Sequence, residues 1–159
     1  MKEEVIKITF YPEPDIRIRV INFEDTDVVI KDKKKYPFIL YEETSVYIET
    51  SKRNFHFSIY ANYVWNGADI PRFLWRLIGS RTDNEFLLAS MVHDYMLSFK
   101  NELLENTLHQ EISIEEYRRL TSLIFRQIMK QNGIKTVKAN IMSWFVDIFQ
   151  KFQRSWKNA

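Results

Sequence analysis

At Trp65 the spacing of the apolar residues changes. Before it, oily side chains recur at every second position; after it, they recur at about every 3.6. The first period is that of a strand with one buried face, and the second is that of a helix. A chain that makes this switch once and does not reverse it is a sheet followed by helices. The expected class is α+β, an N-terminal antiparallel β-sheet followed by a C-terminal bundle of three to four helices. The 159 residues suit a single domain, 1–159, mainly β over 1–66 and mainly α over 70–158.

Within the first part, EVIKITF (4–10) reads as a strand, and Pro12 and Pro14 punctuate the gap after it. Ile16, Arg17, Ile18, Arg19 and Val20 alternate apolar and basic, the pattern of a half-buried strand with one wet face. DVVIK (27–31) is a further short strand candidate, and KDKKKYP (31–37) reads as an exposed charged turn. PFILYEE and SVYIETS are strand-like. In NFHFSIYANYVW, Phe55, Phe57, Ile59, Ala61, Tyr63 and Trp65 share one face, while His56, Ser58, Tyr60 and Asn62 share the other.

Beyond Trp65, Pro71 suits a helix start and Gly79 a helix end. Thr82 and Glu85 have capping-box spacing ahead of FLLASMVHDYMLSF. Ser113 and Glu116 repeat it ahead of YRRLTSLIFRQIMKQ, which stops at Asn132-Gly133. A last helix from near Thr136 to near Lys157 carries Val137, Ile141, Trp144, Phe145, Ile148, Phe152 and Trp156 as an apolar stripe facing a core. Its lysines and arginine then fall on a solvated face.

Composition removes several chemistries. There is no cysteine, hence no disulfide, no thiolate nucleophile and no cysteine-held metal. Lys+Arg exceed Asp+Glu by only 23 to 21, which argues against nucleic acid as a partner. No membrane is expected, because no apolar run approaches the roughly 20 residues that a spanning helix needs. The charged opening MKEEVIKITFYPEPD lacks the apolar core of a secretory signal. Aromatics at 15% leave some of these large side chains free for a partner.

One short stretch breaks the oily pattern. MVHDYM (91–96) sets a histidine beside an aspartate in a helix whose every side is otherwise apolar, which is how a buried helix reads. Successive residues sit about 100° apart on a helix, so His93 and Asp94 flank one edge without facing each other. A buried carboxylate needs a partner, and Arg72, Arg76 and Arg81 are the nearest in sequence. One reading is a buried polar knot. The other is an acid/base pair or a divalent-metal site, the one cofactor these ligand types suit. The catalytic role is thus unassigned, with His93, Asp94 and Asp69 as candidates, and His93 and Asp94 as the candidate metal ligands. The second polar group is WNGADIPR, in which Gly67 permits a tight turn. Asn66 and Asp69 can cap the helix starting near Pro71, and Arg72 can supply charge or an anion contact. Asn66, Asp69, Arg72, His93 and Asp94 then form one polar corner, if the strand end meets the following helix.

These two stretches resemble a family of small phage- and prophage-encoded proteins of unknown function. Its members carry T-D-x-A-S-x-P-R-x-x-W followed by A-x-x-x-H-D-x-x-Y. The counterparts here are W-N-G-A-D-I-P-R-F-L-W (65–75) and A-S-M-V-H-D-Y-M (89–96), matching at Ala68, Pro71, Arg72, Trp75, Ala89, His93 and Asp94. Trp65-Asn66 replaces the threonine-aspartate pair, Asp69 the serine and Leu97 the tyrosine, and Ser122 stands where an aspartate is frequent. The resemblance spans roughly Ser45 to Gln150. It implies a phage or prophage context, with other phage proteins or a host protein as partners, and the virion or host cytoplasm as location. Three functions fit that context: a virion-associated or assembly component of the tail, neck or baseplate, a metal-dependent hydrolase using His93 and Asp94, and an inhibitor of a host defence system.

Overall fold

The computed structural model describes residues 2–67, 84–109 and 111–152. In chain order they form β1 (Val5–Tyr11), β2 (Ile16–Ile18), α1 (Asp27–Lys35), β3 (Phe38–Leu40), β4 (Thr44–Thr50), β5 (Asn54–Ile59) and β6 (Val64–Trp65). There follow α2 (Asn84–Ser98), α3 (Lys100–Glu102) running into a π-helical turn (Leu103–Thr107), α4 (Ile114–Gln131) and α5 (Thr136–Phe152). The strands make two antiparallel sheets of three, ordered β1-β4-β5 and β2-β3-β6. The fold is α+β, as the switch in period requires.

β4 shows why the first sheet forms. Thr44, Val46, Ile48 and Thr50 alternate into the core while Tyr47 and Glu49 face out, so one strand face is buried by sequence alone. β1 is the edge of this sheet, and α4 covers that edge. Gln131 accepts from the Ile8 amide (2.8 Å) and donates to the Ile8 carbonyl (2.7 Å), and Gln127 donates to the Ile6 carbonyl (2.9 Å). Two glutamines one helical turn apart thus serve backbone groups that an edge strand leaves open.

The helix that begins at Ser113 forms as its sequence predicts. The Ser113 hydroxyl accepts from the Glu116 amide and the Glu116 carboxylate accepts from the Ser113 amide (2.8 Å), and α4 ends before Gly133 at φ +88°. The Ser113 amide and hydroxyl donate to Glu116 and hold its carboxyl below the ordinary value of 4.5. A depressed carboxylate stabilises above its unfolded pKa and loses that contribution as pH falls through the folded value. Loss of the N-cap in Ser113→Ala should cost about 1 kcal/mol at neutral pH by urea denaturation. Glu116→Gln should flatten the part of the stability loss that sets in below pH 4.5.

Four expectations are corrected. DVVIK and the lysines after it are not strand and turn but one helix, α1. The Thr26 side chain accepts from the Val29 amide, Asp27 sits in the first turn and Lys33, Lys34 and Lys35 in the last. Caps and charges matched to the helix dipole outweigh the β-preference of two valines that have no strand beside them. In β2, Ile18 is exposed, as is Val20 just beyond it, so the alternation marks a wet edge rather than a half-buried strand. NFHFSIYANYVW is not one strand either. Asn62 takes φ +68°, which ends β5 and sends β6 into the other sheet. Finally, the stripe on α5 is not a core face along its length. Val137, Ile141 and Trp144 are exposed, and only Phe145, which packs on the core, and Ile148 are half-buried, while Ala139, Met142, Ser143 and Gln150 are buried. The Phe152 side chain and Trp156 lie outside the described residues. The predicted capping box at Thr82 and Glu85 and the helix from Pro71 to Gly79 lie outside the described residues.

Candidate functional site

α2 is buried on nearly all sides: Phe86, Ala89, Met91, Val92 and Met96 are at most 1% exposed. His93 is largely enclosed, beside the part-exposed edge that carries Asp94 and Ser98. Its ring lies edge-on to Phe125 of α4, and its side chain is 11% exposed. The partners come from two other helices. His93 Nε2 accepts from the Gln150 side-chain amide of α5, and Gln150 also donates to Thr121 Oγ1 of α4 (3.2 Å). Thr121 in turn donates to the Arg118 carbonyl (2.7 Å). With Nε2 accepting, the ring proton sits on Nδ1, which faces Asp94 Oδ1 at 3.3 Å. His93 and Asp94 therefore do touch, against the helical-wheel expectation. Both ring nitrogens are engaged.

A second set of contacts holds Gln150 in place. Arg118, 4% exposed, is bound by Asp147 of α5 and by Glu115, and the Ser143 hydroxyl donates to the Ser122 carbonyl (3.0 Å). α5 is thereby clamped to α4 at residues 118, 122, 143 and 147, which delivers Gln150 to the His93 ring.

On the other side of Asp94 stand tyrosines. Burial, and after it the Asp94 carboxylate, push the Tyr63 phenol above its ordinary value, with a hydrogen bond to Ser98 acting the other way. Burial, and then Glu102, raise Tyr95 to about 12. Tyr63 stacks on Trp65, and Tyr95 stacks on Phe57. These phenols stay neutral at ordinary pH and act as packing with a polar tip.

The strand end and the helix do meet, but through Trp65. Its indole Nε1 donates to Ser90 Oγ (3.1 Å), one turn before His93, and Ser90 donates to the Leu87 carbonyl (2.9 Å). Asn66 follows half-buried, and Gly67 takes φ +86°, the left-handed turn that glycine allows. Asp69 and Arg72 lie outside the described residues, as do Arg76 and Arg81. Among the described residues no group of three or more His, Cys, Asp and Glu is arranged to hold a metal ion. His93 and Asp94 would supply two ligands of the four or more that such ions take.

Residues 40–146 match the model of a family described as a protein of unknown function, DUF1353. The chain belongs to that family. The DUF1353 span takes in Trp65, Ser90, His93, Asp94 and Thr121. It leaves Gln150 and everything before Leu40 outside, including β1, β2 and α1. The chain is also similar to the uncharacterized protein y4jT of Sinorhizobium fredii (strain NBRC 101917 / NGR234), 31% identical over 81 residues. That stretch is 51% of this chain and 20% of y4jT, so the chain spans about one fifth of that relative's length. No solved structure matches the chain.

The residues that sequence reasoning missed are Gln150, Thr121, Ser90 and Tyr63. Gln150 and Thr121 each had a signal, a small polar group inside an apolar helical run. Neither spacing nor charge pointed to the partner, which for Gln150 lies 57 positions away.

Proposed function

We propose that this DUF1353 protein is a phage- or prophage-encoded accessory protein that works as an assembly or virion-associated component, docked on another protein of the particle. The resemblance of the motifs at 65–75 and 89–96 supplies the phage context. The observation that carries the assembly role is the segment from β2 to α1. Ile18, Val20, Phe23 and Val28 are all strongly exposed, Phe23 fully so, and α1 has no buried residue. A helix of this length is marginal without a packed face. This one is held by polar staples instead: Lys33 to Asp25 and the Val20 carbonyl, and Arg19 to Asp32 and the Tyr36 carbonyl. Such staples fix a shape while leaving the apolar side chains outward, the arrangement expected of a surface prepared for a partner. β2 is moreover an edge strand of its sheet.

Burying each of these side chains is worth about 1.5–3 kcal/mol, so a partner with an apolar hollow gains most of its affinity here. Exposed Lys31, Lys34 and Lys35 beside it suit an acidic rim. The protein should therefore be found in purified particles or assembly intermediates. Val20→Asp with Phe23→Asp should leave stability within about 0.5 kcal/mol, because both positions are exposed. The same pair should lower incorporation by on the order of 100-fold. Wild-type protein missing from both particles and intermediates sinks the proposal, as does a double variant that is incorporated normally.

A further inference from the structure

Between α4 and α5 runs an open groove of about 400 Å³ that nothing above uses. Four cations line it, Arg118, Arg119, Arg126 and Lys151, against two carboxylates, Glu115 and Asp147. The carboxylates are already committed. Arg118 holds both, and Lys151 leans on Asp147 at 3.6 Å. Arg119 and Arg126 form no ion pair among the described residues, and Arg126 Nε is buried without a hydrogen-bond partner. With no carboxylate paired to them among the described residues, Arg119 and Arg126 leave positive charge for an anion in the groove to neutralise. Trp144, 59% exposed, lines the same groove, an apolar plane beside a positive cleft.

We propose that this groove binds a mononucleotide, with the phosphate at Arg126 and Arg119 and the base against Trp144. Guanidinium groups match phosphate oxygens in pairs, and an exposed indole is a stacking platform for any base. The volume lies within the range of about 300–1,000 Å³ usual for small-molecule sites. Exposed Asn140, also on the lining, offers hydrogen bonds to a sugar. The site lies apart from β2 and α1 and does not depend on the assembly reading.

The test is calorimetric titration of the full chain at low ionic strength with AMP, inorganic phosphate and a short single-stranded oligonucleotide. AMP should bind about tenfold more tightly than phosphate, which is the share due to stacking. Trp144→Ala, at an exposed position, should keep the melting temperature, abolish that preference and retain phosphate binding. Arg126→Met should weaken AMP and phosphate alike by about tenfold or more. The proposal is overturned if AMP binds no better than phosphate, if Arg126→Met binds both as wild type does, or if the oligonucleotide is preferred to AMP. Should Arg126→Met fail to fold, Trp144→Ala alone decides, and an unchanged preference for AMP in it overturns the site.

Discussion

His93→Ala is expected to destabilise the protein by about 2–4 kcal/mol. The substitution removes a ring packed edge-on against Phe125 and strips Gln150, 1% exposed, of the acceptor for one of its amide protons. The first loss leaves a cavity, and the second leaves a buried donor unpaired. Gln150→Leu should cost a similar amount, because it fills the space of the glutamine but leaves both His93 Nε2 and Thr121 Oγ1 without that partner. The two changes act on one network, so their effects should fall short of adding, with a coupling of about 0.5–3 kcal/mol in a double-mutant cycle by urea denaturation. This experiment also separates the two readings of MVHDYM. A knot that joins α2, α4 and α5 loses stability when His93 goes. A metal-dependent hydrolase centre would keep its stability in His93→Ala and lose metal affinity and activity in His93→Ala and Asp94→Asn together. An unchanged unfolding midpoint in His93→Ala would sink the structural assignment.

Trp65→Ala should cost about 3–5 kcal/mol, the largest single effect expected in this chain. Trp65 is 2% exposed, packs on Phe38 and Tyr63, and ties the end of β6 to α2 through Ser90. Trp65→Phe keeps most of the apolar volume and deletes only the indole N–H. It should cost about 1 kcal/mol, because Ser90 still donates to the Leu87 carbonyl. Chemical denaturation followed by near-ultraviolet circular dichroism reads both. If Trp65→Ala and Trp65→Phe proved equally mild, Trp65 would not be the joint between sheet and helices.

The buried character of α2 was legible because apolar residues recur on nearly every side of it, and such a helix has little but the core to go to. β4 was legible for the matching reason, a clean alternation with one oily side. The start of α4 could be read from Ser113 and Glu116, since a capping box is made by residues three apart and needs nothing from the rest of the chain. α1 was misread because a short β-branched run fits strand and helix alike, and the outcome turned on Thr26 and on the absence of a neighbouring strand. The stripe on α5 faces the core only in part, at Phe145 and not at Val137, Ile141 or Trp144. Periodicity says that a helix has an apolar face, but the face that is buried depends on what lies against it. Here Arg118 and Ser122 dock α5 through Asp147 and Ser143, which turns Trp144 outward.

The candidate site divides along the same line. By itself the sequence determined that His93 and Asp94 are carried into the interior, because the spacing of apolar residues around them is a local property that no distant contact can alter. Only the tertiary structure decided what they meet there. His93 meets Gln150, which Thr121 holds in turn, and the strand end joins α2 through Trp65 and Ser90 rather than through Asn66. Hydrogen-bond partners that lie 25 to 57 residues apart are chosen by how helices and sheets dock, and docking is settled by packing and charge summed over whole faces.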